Sequence, residues 1–344
     1  MKSLIYGYGI TGRSFERYLI AKNIKYDIFD DSISELKNIE VIESYENIYC
    51  SPGIPRKIFN SLKSFNNVIT DIDIFFKEDR SIKIGITGTN RKSTTAFQLA
   101  QLIEIKHSVN LIGNIGEPML DHINNGSQYS VIELSSYQLD KMAVNKLDFG
   151  VLLDIAPDHL DYHGNFQDYK NTKERILGST KSSNEEDPYK LYKWITGLDI
   201  EVHSLKSLPY RFEKISESII NDSKSTNMHS LKYALKKATS FFKGEQFVLL
   251  TCGNPEKEHF PKISLNEPSE VLIYGSYKED IQKCINHPSK LIFDNLEDVL
   301  IYLKSKSIKQ NILFSPGYPS GKDYKNFEER GDTFNSMVKK VLHA

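Results

Sequence analysis

The sequence predicts an α/β protein of three domains built on parallel sheets, and three local patterns predict it. Each is a short apolar strand, a glycine-rich or polar loop, then a helix. Ser3–Tyr6 enters GYGITG at 7–12, the strand at 82–86 enters TGTNRKST at 87–94, and the strand at 218–220 enters NDSKSTN at 221–227. Strand, loop, helix and further strand make a βαβ unit, whose crossover forces parallel pairing with helices over both faces of the sheet. A chain of 344 residues is long enough for two or three such units.

In the first unit a helix is expected over 14–22 and a second strand over Tyr26–Phe29, ending on Asp30 and Asp31. In the second, a long amphipathic helix runs to about Glu104. The third continues with a helix over 231–242 and a strand over 247–250. Boundaries near residues 79 and 209 give domains 1–79, 80–208 and 209–344. The polar stretch GSTKSSNEED at 178–187 lacks periodicity and reads as an exposed loop.

Charge excludes one class of partner. Lys and Arg number 44 against 45 Asp and Glu, and no basic run stands out, so nucleic acid is not expected and an anionic ligand must be held by local groups. Cys50, Cys252 and Cys284 are odd in number and widely spaced, which fits reduced thiols in the cytoplasm and neither a disulfide framework nor a metal site. The apolar run at the N-terminus is too short for a signal segment, and no stretch reaches the length of a membrane span, so no membrane partner is expected.

Two loops carry candidate chemistry. Gly7, Gly9 and Gly12 form a GxGxxG, with Asp30 placed 18 residues beyond Gly12. That fits a dinucleotide fingerprint, and equally a helix packed close against a strand. The loop at 85–93 is more specific. Its backbone N–H groups and the helix N-terminus would face an anion. Lys92 would reach terminal phosphate oxygens and the Ser93 hydroxyl would ligate Mg²⁺.

GITGTNRKSTT resembles the nucleotide loop of the Mur ligase family, usually TGTNGKT or TGTNGKS. Further matches follow in order: GNIG at 113–116, ELSSYQL at 133–139, DHLD at 158–161 with Lys173 beyond, LPYRFE at 208–213, NDSKSTN at 221–227, and Ser315-Pro316 with KNFEERG at 325–331. The last two signatures resemble the D-glutamate-adding branch. The resemblance implies a three-domain Mur ligase architecture: a Rossmann-like UDP-substrate domain, a P-loop-type central ATPase domain that is truncated here, and a Rossmann-like C-terminal domain. It implies an ATP- and Mg²⁺-dependent cytoplasmic monomer that adds D-glutamate to UDP-N-acetylmuramoyl-L-alanine through an acyl phosphate.

Roles follow from the same resemblance. Lys92, Glu133, His159 and Lys173 are the catalytic candidates, Lys173 matching the lysine that the family carbamylates. On the residues alone Lys173 is a lysine on a helix surface. Gly88, Thr89, Asn90, Arg91, Lys92, Ser93, Thr94, Arg211 and Asp222 would bind ATP, and Ser93, Glu133 and His159 the metal. Gly9, Thr11, Asp30, Asp31, Ser51, Gly53, Asn114, Ser135 and Gln138 would hold the sugar-nucleotide substrate. Lys224, Thr226, Ser320 and Phe327 would seat D-glutamate.

Three departures stand beside these matches. Arg91 replaces the family's glycine before the loop lysine, where a left-handed backbone would cost a side chain about 1–2 kcal/mol. The chain from about residue 177 reaches Leu208 quickly and lacks the family's PGxHNxxN-type adenine segment. The family's GG-x-x-K becomes CGNPEK, ending at Lys257. The residues therefore admit an active ligase, a weak or inactive homologue that binds a UDP-sugar or a protein partner, and, on the first loop and Asp30 alone, an NAD-dependent dehydrogenase.

Overall fold

A computed structural model describes residues 2–33, 36, 41–202, 204–255, 262–306 and 310–342; Lys257 lies outside them. By contact the chain falls into two compact units, Met1–Leu205 and Lys206–Ala344.

The first unit holds two sheets. One contains β1 (Ser3–Tyr6), β2 (Tyr26–Phe29), β3 (Asn47–Cys50) and β4 (Asn67–Ile69) in the order β2-β1-β3-β4, all parallel. Helices α1 (Ile10–Ala21) and α2 (Arg56–Lys63) connect its strands. Helix α1 starts four residues earlier than expected, with Gly12 inside its first turn. A Cβ at Gly12 would lie 2.2 Å from the Gly7 carbonyl oxygen, so close packing of helix on loop demands this glycine.

Helix α3 (Asp71–Glu78) leads to the second sheet. Thr70 caps it by accepting the Asp73 N–H, and Asp71 and Asp73 complement the positive end of its dipole. Its buried face, Ile72, Phe75 and Phe76, packs on Ile112, Ile132, Leu134 and Leu152. The second sheet runs β6-β7-β5-β8-β9, all parallel. Its elements are β5 (Ile82–Thr87), α4 (Lys92–Glu104), β6 (Val109–Gly113), β7 (Tyr129–Glu133), α5 (Ser136–Lys141), β8 (Phe149–Leu152), α6 (Leu160–His163), α7 (Phe166–Glu174), β9 (Lys181–Ser183) and α8 (Pro188–Thr196). Leu99, Leu102 and Ile103 of α4 bury against Ile84, Val131 and Val151, each worth about 1.5–3 kcal/mol when fully buried. Strand β5 is central, and order departs from it in both directions. The crevice at its carboxyl end is where ligands settle in open α/β sheets.

Strand β9 lies within the polar stretch expected to be a loop. It is a three-residue edge strand with two exposed residues, so it needs no apolar alternation to pair with β8.

The second unit contains a six-stranded sheet, β10-β11-β17-β12-β14-β16. Its elements in chain order are β10 (Glu213–Ser216), β11 (Ile219–Asn221), α9 (Met228–Phe241), β12 (Phe247–Thr251), β13 (Ile263–Ser264), β14 (Glu270–Tyr274), α10 (Lys278–Cys284), β15 (Ile285–Asn286), β16 (Lys290–Phe293), α11 (Leu296–Ser305), β17 (Asn311–Phe314) and α12 (Phe327–Leu342). Strands β13 and β15 form a separate parallel pair. The β10–β11 pair is antiparallel, against the expectation of purely parallel sheets. Glu217 and Ser218 alone join the two strands, too few residues for a parallel crossover. Among the described residues no helix is long and apolar enough to cross a membrane.

Candidate active site

The nucleotide loop joins β5 to α4. Gly88 has no room for a side chain, since a Cβ there would sit 2.7 Å from the Leu153 Cβ. Thr89 is held from both ends of its residue. Its N–H donates to Asp154 at 2.8 Å, and its hydroxyl donates to the Ala156 carbonyl at 3.0 Å and accepts the Ala156 N–H at 2.9 Å. Asn90 and Arg91 complete the bend, and Arg91 is left-handed at φ 65°. The position expected to want glycine therefore does adopt the conformation glycine favours. The Arg91 guanidinium pairs with Glu186, beyond β9. Lys92 donates to the Thr89 carbonyl at 2.8 Å. Ser93 is buried and Thr94 half-buried in the first turn of α4, which carries no acidic residue there, so the positive end of the helix dipole suits an anion.

Two buried titratable groups, Glu133 and Lys173, lie beneath this loop. Glu133, at the carboxyl end of β7, is 1% exposed. Its Oε1 accepts from the Asn114 side chain at 2.9 Å, while Oε2 is buried with no hydrogen-bond partner. Asn114 thus serves to orient Glu133, and its own N–H donates to the Glu133 carbonyl. Lys173, on α7, is also 1% exposed and is not a helix-surface lysine. It donates to the Thr87 hydroxyl at 3.2 Å. Burial holds its pKa well below the usual lysine range. The Lys92 charge pushes the same way, and Asp158 and Glu133 oppose.

An orphaned buried carboxylate oxygen is costly unless a cation meets it, and a hard oxygen donor suits Mg²⁺. Glu133 and Ser93 therefore fit the ion that the resemblance implies. His159 is left-handed at φ 51°; its Nδ1 lies 3.1 Å from the Tyr137 hydroxyl and its Nε2 3.7 Å from Asp158. Among the described residues no three His, Cys, Asp or Glu side chains group to hold a metal. Mg²⁺ rarely needs such a cage, since it keeps waters and takes substrate phosphates as ligands.

The sugar-nucleotide candidates fall into two groups. Ser135 and Gln138 form a capping box on α5, so the Gln138 side-chain oxygen is committed to the Ser135 N–H and hydroxyl. In the first sheet Gly9 caps α1 and Thr11 lies in its first turn. Asp30 accepts from Tyr8 N at 2.6 Å and Ser32 N at 2.9 Å, bonds that with the Ser32 hydroxyl hold its carboxyl below the usual range; Asp31 is exposed. Ser51 is buried and donates to the Gly7 carbonyl at 2.7 Å, tying the two loops together, and Gly53 faces open space.

In the second unit the Lys224 ammonium lies 3.8 Å above the Phe327 ring, with Thr226 and Ser320 half-buried. Asp222 accepts from Phe212 N and the Ser315 hydroxyl, both at 2.9 Å, and burial pushes its carboxyl up to about 7. Arg211 stands between two left-handed residues, Tyr210 at φ 58° and Phe212 at φ 53°. Sequence reasoning missed the braces. Arg330, fully buried, donates to Ser223 and to the Tyr318 carbonyl, and so joins the 221–227 and 315–320 segments to α12. Arg175 donates to carbonyls at the end of α5, including Asp140 at 2.9 Å. Arg330 was legible only as part of KNFEERG, and Arg175 carried no signal.

Comparison with known proteins places this geometry. A family model described as the Mur ligase middle domain matches residues 86–249. The UDP-N-acetylmuramoylalanine--D-glutamate ligase of Buchnera aphidicola subsp. Schizaphis graminum is 30% identical, over 99% of this chain and 98% of that protein. The protein of the same name from Francisella tularensis subsp. tularensis (strain FSC 198) is 28% identical, over 98% and 95%. The crystal structure of the MurF ligase of Thermotoga maritima, in complex with ADP, shares the fold at a TM-score of 0.60 and 14% identity, over 98% of this chain and 95% of that one.

Proposed function

The chain belongs to the Mur ligase family, and we propose that it joins D-glutamate to UDP-N-acetylmuramoyl-L-alanine with ATP as the activating substrate. The observation that carries this reading is that one loop of phosphate-cradling form has beneath it both an orphaned Glu133 oxygen and a buried Lys173 whose pKa burial lowers. Matches to two relatives of that name along nearly their whole length supply the substrate class.

The reaction must turn a carboxylate into something an amine can displace. A carboxylate oxygen of the alanyl group attacks the γ-phosphorus of ATP and ADP leaves. The D-glutamate amine then attacks the acyl carbon, and phosphate leaves with that carboxylate oxygen. The protein's task is positioning and charge neutralisation. The α4 N-terminus and Lys92 hold the polyphosphate. Glu133, Ser93 and His159 would hold Mg²⁺, which when bound neutralises phosphate charge. Asn114 fixes Glu133. Burial favours the free amine of Lys173, the form that carbon dioxide needs: its nitrogen forms the C–N bond, loses a proton and becomes a carbamate anion. Lys224 is the point charge for the D-glutamate side-chain carboxylate. The 51–53 loop and α1 receive the diphosphate sugar, and Arg211 and Asp222 the nucleotide. Segments 1–79, 80–208 and 209–344 act as the three domains, in a monomer.

A phosphate-release assay with all three substrates and Mg²⁺ tests the reading. Release that requires both UDP-N-acetylmuramoyl-L-alanine and D-glutamate supports it. Tight binding of the UDP substrate with no release at any ATP concentration supports the inactive homologue.

A further inference from the structure

We propose that Lys141 is a positioning residue that fixes the 51–53 loop of the first sheet against helix α5 and so sets the affinity for the sugar-nucleotide substrate. The proposal rests on the reading above that this loop receives that substrate.

Lys141 is the last residue of α5, three beyond Gln138, and it is 3% exposed. Its ammonium donates at 2.8 Å to the carbonyl of Pro52 and at 2.8 Å to the Tyr162 hydroxyl. Tyr162 donates onward to Asp140 Oδ2 at 3.0 Å, and Asp140 Oδ1 takes the Arg56 guanidinium at 2.6 Å. Arg56 opens α2, directly after the loop. One charged chain therefore grips the loop at its Pro52 carbonyl and again at the helix that follows it. The Lys141 stem and head lie by aromatic rings, with the ammonium 5.5 Å from the Phe59 centroid and 5.0 Å from that of Tyr162.

The loop needs such ties. Gly53 contacts nothing that a Cβ would meet, so the loop is not seated by packing at that residue. Ser51 fixes one side through the Gly7 carbonyl, and Lys141 fixes the other. A neutral residue would pack in the same space. An ammonium buried at this depth is retained against a desolvation cost, which pushes its pKa down to about 8. The same helix carries Gln138 and the same hydroxyl belongs to the segment carrying His159, so the tie sets the loop in register with the reacting end of the substrate. Small displacements of such loops are costly because binding and reaction both depend on the fit.

Calorimetric titration of the full chain with UDP-N-acetylmuramoyl-L-alanine, and separately with Mg-ADP, tests this. Lys141→Met keeps the stem packing and removes the donors. Arg56→Met, at a residue with 37% of its side chain exposed, breaks the far end without burying a new group. The expected result is a sugar-nucleotide Kd raised about tenfold in Lys141→Met and about threefold in Arg56→Met, with Lys141→Arg between wild type and Lys141→Met and the ADP Kd moved less than about twofold throughout. Unchanged sugar-nucleotide affinity in Lys141→Met and Arg56→Met overturns the proposal and leaves the ligase reading intact. Equal loss of both ligands in Lys141→Met, with Arg56→Met like wild type, also overturns it, because Lys141 then supports the fold alone. No sugar-nucleotide binding by wild type removes the ligase reading, and the proposal with it.

Discussion

Lys173 and Lys141 are both almost removed from water, and the regions around them use that burial differently. Lys141 has two acceptors at 2.8 Å and an extended chain of partners reaching Arg56. Lys173 has one hydroxyl at 3.2 Å, a second lysine pressing on it, and two carboxylates at longer range. A buried charge that is well hydrogen-bonded holds structure in place. A buried charge that is poorly hydrogen-bonded yields its proton and becomes a nucleophile. The first region therefore reads as a clamp and the second as chemistry.

That contrast can be broken or sharpened by substitution. The largest effect is expected at Glu133, whose Oε2 is buried without a hydrogen-bond partner. Glu133→Gln keeps the shape and the Asn114 contact but removes the anion, and kcat in the ligation assay should fall about a thousandfold. Lys173→Ala should lower kcat about a hundredfold with little change in sugar-nucleotide Kd. If Lys173 reacts as proposed, ¹³C-bicarbonate should give a carbamate resonance in the wild type that Lys173→Ala loses. A lysine effect on affinity without one on kcat would erase the distinction from Lys141.

Lys224 provides a third environment, half-buried and over the Phe327 ring. Lys224→Ala should raise KM for D-glutamate about thirtyfold while leaving KM for ATP unchanged, since it removes one charge-assisted contact. The pH dependence of stability separates Lys141 from ordinary lysines. Its folded pKa of about 8 lies below the unfolded value of about 10.4. The unfolded chain holds more protons between those values, so this contribution to stability grows as pH rises through the window. The titratable and charged groups facing it are the Tyr162 hydroxyl, the Cys50 thiol, Asp140 and Arg56. Between pH 7.5 and 9.5 the stability of wild type relative to Lys141→Met should move toward wild type by about 2 kcal/mol.

The smallest effect is expected at Arg91. Glycine there relieves about 1 kcal/mol of left-handed strain and loses a partly exposed ion pair to Glu186 worth about 0–1 kcal/mol. Because the guanidinium is held at Glu186, Arg91→Gly should change ATP affinity by no more than about threefold, in the direction of tighter binding. Weaker binding would make Arg91 a phosphate ligand.

Much of this was legible in the sequence where local pattern and chemistry coincide. The three strand–loop–helix starts follow from residue order, and the left-handed need at Arg91 from the resemblance, where the family keeps a glycine. What was hidden depends on distant neighbours. Lys173 looked like a helix-surface residue because α7 is polar along most of its length, and only its place under Thr87 buries it. Lys141 gave no signal, since its partner is a backbone carbonyl 89 residues away. Strand β9 was read as loop because a short edge strand carries no alternation, and the antiparallel β10–β11 pair was hidden in a two-residue turn without glycine.

The central claim is that the site activates a substrate carboxylate as an acyl phosphate. It is tested most directly with UDP-N-acetylmuramoyl-L-alanine labelled with ¹⁸O in the alanyl carboxylate, incubated with the protein, D-glutamate and Mg-ATP, followed by mass spectrometry of the released phosphate. The account predicts one ¹⁸O in each phosphate, carried over when the amine displaces it. Phosphate free of ¹⁸O, or no phosphate dependent on the labelled substrate, would contradict it.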